Sequence, residues 1–96
     1  MATKREEMAK AQAGQGCLGK AQDDEPLFIL RAADITAPGL VEAWADSVEK
    51  AAVVAGASRD PLSEEARRRK AKLKEARALA HTMRAWQEMN GAKVPD

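Results

Sequence analysis

Two sets of residues in this 96-residue chain have types and spacings suited to chemistry. The first is Gly14-Gln15-Gly16-Cys17-Leu18-Gly19-Lys20, which reads both as G-x-x-x-x-G-K and as G-x-G-x-x-G. Both patterns let backbone N–H groups approach a phosphate closely. The next residue is Ala21, where phosphoryl transfer needs a Ser or Thr hydroxyl to hold Mg²⁺. A working phosphate loop also follows a buried strand and opens a helix. Here a polar, Ala-rich segment precedes it and Asp23-Asp24-Glu25-Pro26 follows closely, so three acids would repel a nucleotide. Two readings remain open. One is an anion contact through Lys20 and the amides of Gly16 to Gly19; the other is a flexible Gly-rich connector.

The second set is basic. Lys70, Lys74, Arg77, His81 and Arg84 follow helical steps and lie within about 40° of one direction. That direction flanks the apolar face of the same helix, where it would line the rim of a groove between packed helices. Such a rim suits a phosphorylated ligand, because Arg grips phosphate oxygens in pairs while Lys supplies a point charge. The competing reading is a solvated face balanced by the acidic half of the chain. Glu64 with Arg68 and Glu65 with Arg69 are i,i+4 pairs that need only helix stability as their explanation.

Other constellations are weaker. Asp23-Asp24-Glu25 lacks a matching His or Cys set, so no metal site is expected. His81 has no Ser or Cys partner at a suggestive spacing, Cys17 reads as a small apolar loop residue, and no cofactor is implied. Arg67-Arg68-Arg69-Lys70 resembles a nonspecific phosphate-backbone binder, yet the net charge is only +1 and stacking aromatics are almost absent. Nucleic acid is therefore a third-ranked partner. Without a catalytic constellation, the chain is read as non-enzymatic.

The elements that must position these groups are mainly helical. Thr3 and Glu6 have capping-box spacing for a polar arm or short helix over residues 1–13, and residues 14–96 are read as one helical domain. Residues 14–25 read as a Gly-rich, acidic loop. Pro26 then opens the strongest apolar run, and residues 27–32 predict one short strand or an extended segment. A lone strand cannot satisfy its own backbone, so it would pair with its copy in another subunit. Thr36 is the expected N-cap of a helix over 37–55 that ends at Gly56. Ala57-Ser58-Arg59 is the expected linker. Asp60 and Pro61 would start a last helix over 61–90, closed by Gly91. Thirty residues would span about 45 Å, longer than so small a domain is wide.

Composition sets the limits. The chain is 45% apolar, but much of that is alanine, and the only aromatics are Phe28, Trp44 and Trp86. Alanine gains little from burial, so a monomeric core is shallow and a homo-oligomer is expected, with Phe28, Leu30, Trp44 and Trp86 at its interface. From Asp23 to Glu49 seven acids face one base, and from Arg67 to Arg77 seven bases face one acid. Those halves can pair within or between subunits, or meet an outside ligand. One cysteine precludes an internal disulfide, no secretory leader is visible, and no run reaches the ~20 apolar residues of a membrane span. The expected compartment is the cytoplasm.

Several segments taken together resemble a group of small proteins encoded by bacteriophages and prophages. They are Gly16-Cys17-Leu18-Gly19-Lys20-Ala21; Asp24 through Ala32 with Asp34; Ala37-Pro38 with Val41 and Trp44; and Ala85-Trp86-Gln87, Asn90-Gly91, Lys93 and Pro95-Asp96. These motifs carry no named chemistry, so the resemblance identifies a source better than a role. It implies a protein of the host-cell cytoplasm that antagonises host defence by sequestering a nucleotide signal or by plugging a protein complex. The first expectation is thus a homo-oligomer holding a phosphate-bearing small molecule between subunits, with Gly16, Gly19, Lys20, Arg31, Lys74, Arg77, His81 and Arg84 as ligand-binding residues. The alternative is a protein-interaction module that occupies a host protein through charged and Trp-bearing helix faces.

Overall fold

A computed structural model describes residues 3–57 and 60–95. Ser58 and Arg59 of the expected linker, and Asp96 of the tail, lie outside the described residues. The described chain forms, in order, helices α1 (Lys4–Gln12), α2 (Gly16–Lys20), α3 (Ala37–Val54) and α4 (Glu64–Asn90). It packs as two pairs. α1 rests on α2, and α3 rests on α4, while neither member of the first pair contacts the second.

Helix α1 starts where its capping residue predicts, with the Glu6 N–H donating to Thr3 Oγ1 at 3.2 Å. Gly14 and Gly16, at φ of 70° and 72°, then reverse the chain. Left-handed backbone of this kind is cheap only for glycine. The Gly-rich stretch is therefore not the loop expected over 14–25, because five of its residues form α2.

Helix α3 carries Ala37 and Pro38 in its first turn and ends before Gly56, whose φ is 72°. Thr36 occupies the N-cap position, but its hydroxyl caps nothing. It donates instead to Asp34 Oδ1 at 2.7 Å, and the same oxygen accepts the Thr36 N–H at 2.8 Å. Asp34 thus organises the entry to the helix, the carboxylate being the stronger acceptor.

Helix α4 begins three residues later than Pro61 suggests. Asp60 folds the approach into a turn, its carboxylate accepting from the Leu62 N–H at 2.9 Å and its carbonyl from the Ser63 N–H at 3.0 Å. Ser63 then caps the helix by accepting from the Ala66 N–H at 3.1 Å, with Glu64 and Glu65 favourably placed in the first turn. Its 27 residues span about 40 Å, which sets the longest dimension of 41 Å.

Among the described residues no strand forms. Residues 27–31 take no regular structure and Ala32 begins a turn, so the segment has no ladder partner, and the only pairing nearby is an isolated parallel bridge between Asp34 and Lys93. There the Ile35 N–H donates to the Lys93 carbonyl and the Lys93 N–H to the Ala33 carbonyl, both at 3.0 Å. Gln87 holds the same strap from below. Its Nε2 donates at 2.9 Å to both the Ala32 and Asp34 carbonyls.

The core is small, as the alanine content implies. Among the described residues its buried apolar members are Ala37, Ala45, Leu73, Ala80 and Met83, and no large side chain is fully enclosed. Facing alanines let α3 and α4 approach closely but contribute little apolar area.

Candidate functional site

The glycines of the Gly14–Lys20 stretch are explained by packing. A Cβ on Gly19 would stand 2.9 Å from the Gly14 carbonyl carbon and 3.1 Å from the Ala11 Cα. Only glycine permits that approach of α2 to α1. Lys20 is the last residue of α2, at the negative end of the helix, so its charge is at the opposite terminus from the free amides that open the helix at Gly16. The motif does not gather amides and lysine around one anion. It sits, moreover, on a pair of helices that does not touch α4, so Lys20 and the basic stripe do not meet within one chain.

The stripe itself divides into engaged and free cations. Arg77 bridges two acids of α3, donating from Nη1 to Asp46 Oδ1 at 3.0 Å and from Nη2 to Glu49 Oε1 at 2.8 Å. Arg84 forks onto Glu42, with Nη1 to Oε2 at 2.9 Å and Nη2 to Oε1 at 2.5 Å. Hydrogen bonding to Arg84 holds the Glu42 carboxyl below its ordinary pKa, with the charges of Arg84, His81 and Arg77 adding to the effect. The same contacts raise both arginines, Arg77 through Glu49 and then Asp46, and Arg84 through Glu42. Three acids of α3 therefore pair with Arg77 and Arg84 of α4 within one chain, and these contacts fix the register of the two helices.

Farther along α4, Arg68 pairs with Glu64, and Arg69 approaches Glu65 at 3.8 Å. Lys70 and Lys74 have no carboxylate partner among the described residues. They open onto a shallow groove of about 460 Å³ between α3 and α4. Leu73 and Ala66 form its floor, and Glu49, Arg69 and Arg77 complete its walls. A larger concavity, about 720 Å³, is lined solely by residues 3–8 and reflects the surface of one exposed helix. Of the remaining expected ligand residues, Arg31 is exposed in the extended segment, its carbonyl accepting the Asp34 N–H at 3.0 Å, and His81 is exposed on α4.

On the opposite flank the first half of α3 and the C-terminal half of α4 present apolar residues. At 100° per residue Trp44 and Leu40 turn away from the acids of α3, while Leu79 and Trp86 turn away from the arginines of α4. Because Asp46, Glu49 and Glu42 meet Arg77 and Arg84 on one side, these apolar residues share the other. Trp44 is 47% exposed, Trp86 43% and Leu40 47%, so the tryptophans are flank residues and not core. Phe28 is 85% exposed and Leu30 half-buried on the extended segment.

Sequence reasoning missed Gln87 and Arg69. Gln87 is a lone amide within an otherwise apolar stripe, and that misfit is the signal for a buried polar contact. Arg69 is accounted for by its i,i+4 acid, which hid its second position on the groove wall.

Among the described residues no group of three or more His, Cys, Asp or Glu side chains could hold a metal, and no helix is long and apolar enough to cross a membrane. Comparison with protein families, with curated proteins and with solved structures gives no match.

Proposed function

We propose that this chain is a non-enzymatic helical binding module that works by protein–protein contact, its first partner being a second copy docked on the Trp44/Trp86 flank. The observation that carries this reading is the amount of surface left open. The chain exposes 7758 Å², against about 5,400 Å² for a compact monomer of this size. Its radius of gyration is 15.2 Å, against about 12.5 Å for a compact chain. The excess of about 2,400 Å² is well above the ~800 Å² that each partner buries in a standard interface. Part of it belongs to α1, α2 and the extended segment. The two half-exposed tryptophans lie on the hairpin flank, and buried Trp is a favoured anchor of such contacts.

The resemblance to phage- and prophage-encoded proteins supports a setting, the cytoplasm of an infected cell, in which the assembled module occupies a host protein. Charge supports the choice of flank. Along the ion-paired stretch Arg77 and Arg84 are already engaged by acids of α3, whereas the flank that carries Trp44 and Trp86 has apolar surface left to bury.

Sedimentation equilibrium of the full chain tests self-association. The wild type is expected to form a dimer or larger assembly at micromolar concentration. A Trp44→Asp/Trp86→Asp double variant is expected to sediment as a monomer with an unchanged helical circular-dichroism spectrum. A wild-type protein that stays monomeric at hundreds of micromolar would overturn the proposal.

A further inference from the structure

We propose that the groove beside Lys70 and Lys74 binds a compact diphosphate, such as the diphosphate moiety of a phosphorylated small molecule. This goes beyond the self-association reading, because the groove lies on the flank opposite Trp44 and Trp86. The starting point is the pattern of charge pairing along α4. Arg68, Arg69, Arg77 and Arg84 each have a carboxylate within 4 Å, whereas Lys70, Lys72 and Lys74, lying between them, have none among the described residues, and of these Lys70 and Lys74 line the groove. Two unpaired ammonium groups one helical turn apart, about 6 Å along the axis, make a two-point site for anionic oxygens.

The walls define the class of ligand. Arg69 and Arg77 stand at the two ends of the pair, each already held by acids, and Leu73 and Ala66 give an apolar floor. Glu65 lies beyond Arg69 and Asp46 beyond Arg77, while Glu49 is part of the lining and is engaged by Arg77. A long polyanion laid along the hairpin would run into Asp46 and then Glu42. A short anion held at Lys70 and Lys74 meets only Glu49, whose charge Arg77 already offsets. No aromatic side chain lines the groove, so stacking of a base contributes nothing there and the phosphates carry the recognition.

Nuclear magnetic resonance titration of the full chain with pyrophosphate tests the site, with orthophosphate and a single-stranded oligonucleotide as parallel arms. Saturable shifts confined to residues 66–77 are expected for pyrophosphate, with orthophosphate weaker by roughly tenfold because it engages one lysine at a time. Lys70→Gln/Lys74→Gln should weaken pyrophosphate binding by roughly tenfold or more, while Lys20→Gln leaves it unchanged. Absence of saturable pyrophosphate binding would overturn the inference. So would unaltered binding by the double Gln variant, equal affinity for orthophosphate, or tighter binding of the oligonucleotide. Sedimentation of the Gln variant separates this outcome from the self-association reading, which predicts an unaltered assembly.

Discussion

At the scale of residues, Gly19 shows how one sequence pattern can serve two physical ends. Glycine lets a backbone approach a phosphate, and it equally lets one backbone approach another. Here the second holds, since a Cβ at position 19 would meet the Gly14 carbonyl carbon at 2.9 Å and the Ala11 Cα at 3.1 Å. Both contacts are backbone and cannot swing aside. Gly19→Ala is therefore expected to separate α2 from α1. Amide hydrogen exchange should accelerate across residues 4–20 while the protection of α3 and α4 stays as in the wild type. Protection unchanged in both regions would show that the close approach is not needed. The motif was legible in the sequence, but its meaning was not, because the interhelical distance depends on the reversal at Gly14 and Gly16. Thr3 and Gly56, by contrast, act through neighbours a few residues away, and their roles could be read directly.

Elements were legible to the degree that their signals are local. The apolar spacing of Leu40, Val41, Trp44 and Val48 places α3 to within a residue at its end. At α4 Asp60 and Pro61 are the visible start signal, but Asp60 caps only a turn through the Leu62 N–H, and the helix begins at Glu64 under a Ser63 cap. The run at residues 27–32 has strand composition, yet a strand requires a partner edge and the described residues offer none. Cross-helix pairing is likewise nonlocal. The sequence contained both charged halves; the register that sets Arg84 on Glu42 comes from packing. Because Arg84 holds Glu42 below its unfolded pKa, the pairing stabilises the hairpin above the ordinary carboxylate range. That contribution is lost as pH falls through the depressed Glu42 value. The wild-type melting temperature should therefore drop further than that of Arg84→Gln between about pH 6 and about pH 3. Parallel pH profiles would show that the pair contributes nothing measurable, the common result for exposed ion pairs.

For the whole molecule the governing fact is a core of three alanines, one leucine and one methionine among the described residues. Such a core leaves little margin over the entropy of ordering the chain. Stability borrowed from a second copy has a thermodynamic signature, since mass action ties the melting temperature to protein concentration. Each tenfold dilution is expected to lower the midpoint by several degrees. A midpoint independent of concentration across three decades would mean that the hairpin stands alone. Composition made the shallow core legible, through its alanine content. Which flank stays open was not, because that depends on which side the ion pairs occupy.

Helices α3 and α4, which pack on each other, are consecutive in the chain. Contacts between sequence neighbours close quickly, and helical hairpins of low contact order fold in microseconds to milliseconds. Encounter between two separate molecules depends on concentration and on finding the right orientation, and it is slower at cellular dilution. In the proposed self-association the hairpin therefore closes on itself first, with the salt bridges as an internal template, and the exposed tryptophans meet a second copy only afterwards. Such assembly would be paced by the chain's abundance and not by its folding.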